Sequence, residues 1–178
     1  MVEQQLTDWL EEGYVASFRT ACLILGNRAD AEEAVQQAFL RVWRFRASLG
    51  AIADHAPWLY RVVVSACCSK LRHDGPWRDR PADLPDDAAK TAASPDERLW
   101  QSEVSRAVLS ALGDLPVHVR VAVVLRYYDD LSERQVAAAI GRRPGTVKSR
   151  LHEARRQLAT RGALRDLAGS GVSTEVLS

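Results

Sequence analysis

Eight lysines and arginines crowd the thirty residues from Ser132 to Arg161, against two acids, a local net charge of +6. Cations at that density bind phosphates, and hydroxyls among them can read base edges. The residues that could do this work are Thr146, Lys148, Ser149, Arg150, His152, Arg155 and Arg156. Val147, Leu151, Ala154 and Leu158 recur among them at helical spacing, so one side of this helix is apolar and buried. A shorter apolar set, Val136, Ala137 and Ile140, precedes it on a first helix. Ser132 and Gln135 match a capping box for that helix, and Gly141 supplies a left-handed exit. Two short helices, a tight turn and a basic second helix suit the major groove of a duplex. The competing reading, a merely solvated basic helix, does not explain why the turn, the small Ala137 and the inward Val147 fall in step.

A second chemistry-bearing stripe consists of Trp58, Arg61, Ser65, Ser69 and Arg72, with Lys70 and Arg78 nearby. From Trp58 to Arg78 four bases face one acid, a net of +3. Aromatic rings interleaved with cations suit a single strand, because bases stack on rings while cations hold phosphates. Trp58 and Tyr60 could equally complete a core. The loop 46–57 has small residues that could seat an extruded base. A third stripe, Glu33, Gln37, Leu40 and Arg44, flanked by Arg41 and Trp43, alternates acid, amide, leucine and arginine, which suits a solvated face or a contact with another protein. The cysteines Cys22, Cys67 and Cys68 lack disulfide or zinc spacing and read first as small packed side chains. No nucleophile–base set, metal spacing or phosphate loop stands out, so neither enzymatic chemistry nor a cofactor or metal is expected.

These stripes need helices to hold them, and the pattern predicts an all-α chain in two small helical domains. Of 178 residues, 47% are hydrophobic and 26% charged, with a net charge of only +1, so the basic faces are balanced by acid elsewhere. The balancing acid lies partly in a Pro-, Ala- and Asp-rich stretch: from Asp79 to Glu97 six acids meet two bases, a net of −4. Such a segment buries too little apolar surface to offset its ordering entropy and reads as a flexible linker. The expected organisation is therefore a first domain over 1–77, an acidic linker over 78–94, a helix-turn-helix domain over 95–161 and a tail over 162–178. In the first domain, Leu6, Trp9, Leu10, Tyr14, Phe18, Cys22 and Leu25 form one predicted stripe, closed by Gly26-Asn27. Asp30 with Glu33 marks the start of the next helix, with core residues Ala31, Ala34, Val35, Ala38, Val42 and Phe45. A third helix starts at Pro57 and turns Leu59, Val62, Val63, Ala66, Cys67 and Leu71 inward. In the second domain, Ser94 to Glu97 is a start signal, followed by a helix from Trp100 to Leu112. Val117, Val121, Val124, Leu125 and Tyr128 line the next. No apolar run is long enough to span a membrane, and the acidic N-terminus is unlike a secretory leader, so a cytoplasmic protein without membrane insertion is expected.

The segments ILGNRADAEEAVQQAFLRVWR (24–44), PWLYRVVVSACCSKLR (57–72) and LRYYDDLSERQVAAAIGRRPGTVKSRLHEARRQL (125–158) together resemble the extracytoplasmic-function (ECF) sigma factors, the smallest sigma-70-type initiation factors. The resemblance covers about residues 5 to 160. It implies a protein that binds core RNA polymerase, recognises the minus-thirty-five and minus-ten promoter elements, and helps to melt DNA. It places Glu33, Gln37, Leu40, Arg41 and Arg44 against the polymerase clamp, and Trp58, Arg61, Ser65, Ser69 and Arg72 on the melted minus-ten strand. Arg142, Arg143, Thr146, Lys148, Ser149, Arg150 and Arg155 would lie on or near the minus-thirty-five duplex. An anti-sigma factor is a further implied partner. This chain departs from the family pattern at Gln37-Ala38, where an acid followed by Thr or Val is frequent, at Ser65, where Asn is frequent, and at Arg142-Arg143, where an apolar residue usually follows the glycine. The alternative left open by the residues is a stand-alone helix-turn-helix regulator that acts without polymerase.

Overall fold

The computed structural model describes residues 3–47, 55–74 and 103–160, and the rest of the chain lies outside this description. The described residues form seven helices and no strand. They are α1 (Glu3–Leu25), α2 (Arg28–Arg44), α3 (His55–Asp74), α4 (Glu103–Gly113), α5 (Val117–Val123), α6 (Glu133–Ile140) and α7 (Pro144–Thr160). Helix α5 runs on into a π-helical turn, Val124–Tyr128. The expected linker 78–94, tail 162–178, loop centre 48–54, Trp77, Arg78 and the start signal at Ser94–Glu97 all fall outside the described residues.

Helices α1, α2 and α3 pack on one another in pairs, and α7 packs on both α5 and α6. Gly26, with φ of 81°, lets the chain leave α1 and enter α2 within two residues. The cap of α2 is Asn27, not Asp30. The Asn27 side-chain oxygen accepts from the Asp30 backbone N–H at 2.8 Å, which leaves Asp30 in the first turn where its charge favours the helix N-terminus. Buried Ala31, Ala34, Val35, Ala38 and Val42 line α2 as expected, but Phe45 is past the helix end and 56% exposed. All six predicted inward residues of α3 are buried.

In α1 the pattern is rotated from expectation. Tyr14 is 39% exposed, while Ser17, Thr20, Ala21 and Ile24 are buried instead. The physical reason is that α1 is covered from two directions. Helices α2 and α3 take one side, and α4, α5 and the π turn take another. Tyr14 stacks on Phe18 and meets Phe39 edge-on, so these rings extend the core outward rather than fill its centre. Tyr128 is likewise 43% exposed, at the end of the π turn. One apolar cluster runs through both groups of helices, because α6 also packs directly on α3. The two units are therefore docked on each other.

Candidate nucleic-acid interface

The helix-turn-helix is built from local signals. The Ser132 hydroxyl accepts from the Gln135 N–H at 3.3 Å, and the Gln135 side-chain oxygen accepts from the Ser132 N–H at 3.0 Å, a complete capping box. Gly141 ends α6 with φ of 62°, and the next N–H, that of Arg142, donates to Ala137 O at 2.9 Å. Val147, Leu151 and Ala154 are buried, so the inner face of α7 is the predicted one.

The seven predicted duplex-contacting residues do not share one face. At 100° per residue, Thr146 and Arg150 fall on one flank of α7, Lys148 and Arg155 on the other, and Ser149 between them on the outer side with His152 and Arg156. Burial agrees: Thr146 and Arg150 are half-buried, and Arg142, Arg143, Lys148, Ser149 and Arg155 are exposed. Several are engaged within the chain. Arg155 donates to the Tyr127 hydroxyl at 2.8 Å, the Ser149 hydroxyl to Gly145 O at 3.0 Å, and Arg142 to the adjacent Gly141 O at 3.1 Å. Lys148 lies 3.9 Å from Glu133. The contact set implied by the resemblance leaves out His152 and Arg156, although the helical spacing puts them on the outermost line of the helix.

On α3, Arg61, Ser65, Cys68 and Arg72 form a single stripe, while half-buried Trp58 and Ser69 lie at its edge. Trp58 and Tyr60 both pack against the core. Lys70 turns away from the stripe to α2, 3.3 Å from Asp30 and hydrogen-bonded to Glu33. On α2, Glu33, Gln37, Leu40, Arg41 and Arg44 are all exposed on one face, with Leu40 at 60%. Gln37 donates to Glu33 at 3.0 Å across one turn.

The α3 stripe faces the helix-turn-helix across a cleft of about 640 Å³. Arg61, Ser65 and Arg72 line it from α3, with Arg142 and Arg150 opposite and His118 of α5 between. No Asp or Glu is among the lining residues. Burial, and next the neighbouring charge of Arg142, lower the pKa of Arg150. Beside the cleft two charged residues cross between the units. The Asp129 carboxylate accepts from the Thr20 hydroxyl at 2.8 and 3.0 Å and from the Tyr60 hydroxyl at 3.0 Å. Burial raises Asp129 to about 6 against the pull of those two hydrogen bonds. Burial, and then the nearby Asp129, push the Tyr60 phenol up. Arg120, only 2% exposed, donates to Ile24 O of α1 at 2.7 Å and to Leu112 O, Gly113 O and Leu115 O of its own unit at 2.8 to 3.2 Å. Burial lowers its pKa to about 10, which leaves it charged at neutral pH. Neither residue was singled out from sequence, although an arginine inside the valine run Val117–Val124 was a signal that a cation was being drawn into the core.

The three thiols are free. Burial raises all of them, Cys22 to about 12, so they are held protonated and are poor nucleophiles. This favours the packing reading of Cys67 and Cys68. Among the described residues, no helix is long and apolar enough to cross a membrane.

The comparisons with known proteins separate the two open readings. The family model of sigma-70 region 2 matches residues 14–75, and that of sigma-70 region 4 matches 105–158. The ECF RNA polymerase sigma factor SigM of Mycobacterium tuberculosis is 36% identical over 141 residues, which cover 79% of this chain and 68% of that protein. The chain belongs to the ECF sigma factors. This excludes the stand-alone regulator. The sigma factor is also 29% identical to SigW of Bacillus subtilis, over 81% of this chain and 80% of that protein. SigE of Mycolicibacterium smegmatis is 32% identical over 79% of this chain, which spans only 55% of that relative's length. In fold the sigma factor is similar to RpoE of Bartonella quintana, solved with the anti-sigma factor NepR, at a TM-score of 0.65 and 23% identity over 89% of this chain and 97% of that one.

Proposed function

We propose that this sigma factor binds core RNA polymerase through the exposed face of α2 and holds the melted minus-ten strand on the α3 stripe. On this reading the outer side of α7 and the turn before it read the minus-thirty-five duplex. The observation that carries the reading is the pair of basic helical stripes, Arg61–Arg72 on α3 and Arg142–Arg155 around α7, on separate units of one chain of this family. Phosphate contacts from the arginines supply affinity, and a base stacked on the accessible part of half-buried Trp58 adds to it. That gain, together with polymerase contacts, offsets the few kcal/mol that extruding a base costs. The protein has no catalytic chemistry of its own in this scheme; bond formation belongs to the polymerase. It works in the cytoplasm, where polymerase and promoter DNA are. An anti-sigma partner is part of the proposal, supported by the similar structures of RpoE with the anti-sigma factor NepR and of CnrH with the cytosolic domain of CnrY.

The test is transcription in vitro. With purified core polymerase and a cognate promoter, the chain should direct specific starts. Reversing charge with Arg41→Glu and Arg44→Glu should abolish co-purification with core polymerase while leaving the helical fold intact. Retention of that variant on polymerase would remove the α2 assignment, and failure of the parent chain to bind polymerase at any salt would remove the whole scheme.

A further inference from the structure

The cleft between α3 and the helix-turn-helix holds more positive charge than the chain around it balances. Arg61 and Arg72 line it from α3, Arg142 and Arg150 from the facing unit, with no carboxylate among the lining residues. Among the described residues, Arg61, Arg72 and Arg150 make no hydrogen bond or ion pair, and Arg142 donates only to the adjacent Gly141 O. Glu153, one turn from Arg150 on α7, turns its oxygens to Gln157 at 2.9 Å and His118 at 4.0 Å. Its attraction does not cancel what burial and the charge of Arg142 do to Arg150, whose pKa stays lowered. Arg72 and Arg150 converge although they belong to different units: burial raises the Cys68 thiol, and the charges of these two arginines both pull it back down. Like charges so placed repel one another, and an anion between them removes the repulsion. The walls below them are apolar, Val64 and Leu71 of α3 against Val121 and Ile140 of the other unit. Arg61 stands three turns before Arg72, about 16 Å along α3, with Ser65 one turn after it. At about 640 Å³ the cleft has small-molecule dimensions.

We propose that this cleft binds a nucleoside diphosphate or triphosphate, with its phosphates among Arg72, Arg142 and Arg150 and its base along the apolar walls toward Arg61. A phosphate monoester carries about two negative charges near neutral pH, so a single phosphate leaves part of the cluster unmatched and a chain of two or three does not. Guanidinium forks take phosphate oxygens in pairs. Arg61 is too far along α3 to join them; its planar head suits the face or edge of a base, and the Ser65 hydroxyl suits a ribose. An isoprenoid diphosphate would match the phosphate end but set Arg61 and Ser65 against hydrocarbon. Arg61 and Arg72 are also the residues assigned to the promoter strand, so a bound nucleotide competes with that strand directly. This consequence rests on the assignment of α3 to the strand.

The experiment titrates the full chain with ATP, GTP, pyrophosphate and isopentenyl diphosphate by calorimetry, and follows isoleucine δ1 methyls by NMR. ATP or GTP should bind one to one, about tenfold more tightly than the other two probes. The nucleotide should shift the Ile140 methyl, which lines the cleft, and leave that of Ile24, buried in the core, in place. Arg72→Gln and Arg150→Gln should each weaken ATP and pyrophosphate alike, by about tenfold. Arg61→Gln should weaken ATP and leave pyrophosphate unchanged. Arg134→Gln, exposed on α6 and outside the cleft, should change neither. Pyrophosphate or isopentenyl diphosphate binding as tightly as the nucleotides would overturn the nucleoside assignment. No binding, an unmoved Ile140 methyl, or an equal loss with Arg134→Gln would overturn the site, the last by showing general attraction of anions to a basic surface. ATP should also displace a labelled single-stranded oligonucleotide. Nucleotide binding at the cleft without displacement would leave the site standing and overturn the assignment of α3 to the strand.

Discussion

The helix-turn-helix and the first helix are held by different chemistry. In α6 and α7 the sequence period, the burial and the caps agree: Val136, Val147, Leu151 and Ala154 go inside, Ser132 and Gln135 close one end, and Gly141 closes the other. In α1 the residues under the second unit are Ser17, Thr20 and the Ile24 carbonyl, and what meets Thr20 and Ile24 there is charged, Asp129 and Arg120. Apolar surface fills each unit and continues through the seam, and polar groups fix the geometry in which the units meet. Apolar burial is indifferent to direction, whereas a carboxylate between two hydroxyls and a guanidinium over helix-end carbonyls accept one geometry.

The strongest way to break this contrast is Arg120→Met. Methionine fills much of the space but leaves Ile24 O, Leu112 O, Gly113 O and Leu115 O without their charged donor. Leu112 O keeps the Leu115 N–H, so at roughly 1 kcal/mol for each of the other three acceptors a loss of about 3 kcal/mol is expected in urea unfolding. Part of it should appear as separation of the units before they melt, and a single unchanged transition would show that the seam contributes nothing apart from the cores.

Asp129 gives the next largest effect, and its sign is specific. Its pKa is raised from 3.8 to about 6 in the folded chain, so its contribution is most favourable below about pH 4 and is lost as pH rises to 6. That shift is worth roughly 2 kcal/mol once partial solvent screening is allowed for. Thr20 from α1 and Tyr60 from α3 donate to it, and neither changes charge in this window. Asp129→Asn should therefore gain stability relative to the parent between pH 4 and 6 and hold that gain above 6. A stability difference that stays flat across this window would mean that the carboxylate is solvated.

On the other side of the comparison, Ser132→Ala removes the capping hydroxyl of α6 and should cost about 1 kcal/mol. The loss should stay local, with faster amide exchange in the first turn of α6 and weaker binding to a minus-thirty-five duplex. The seam should be unmoved, which would be checked by an unchanged scattering profile.

The helix-turn-helix was readable in advance because its determinants are neighbours in sequence: a cap, a turn glycine and one apolar period. The same holds for α3, whose inward residues are all buried, and for the exposed face of α2. What could not be read was which faces meet across the two units. Thr20 and Asp129 are 109 residues apart, and neither breaks any local rule. The expected stripe of α1 placed Tyr14 inside because a helical period reports one buried side, and α1 has two. The contact set that the resemblance implies around α7 divides between two flanks of the helix, with Arg150 on the cleft and Arg155 on Tyr127.

The smallest effect sits where the two chemistries join. Asp130 follows Asp129 and takes φ of 51°, a left-handed conformation that ends the π turn and directs Leu131 into the core. Its carboxylate lies 3.4 Å from Arg126, but at 97% side-chain exposure this pair contributes little. Glycine adopts such a φ without steric cost yet loses more freedom on folding, and the two effects nearly cancel. Asp130→Gly should thus shift stability by less than about 1 kcal/mol, in the stabilising direction if strain outweighs entropy. The informative readout is the seam between the units rather than the melting point. A looser chain at 130 lets Asp129 leave Thr20 and Tyr60 more easily, so a variant of equal stability but larger radius of gyration would locate the hinge at this residue. A radius unchanged beside the parent would place the hinge elsewhere.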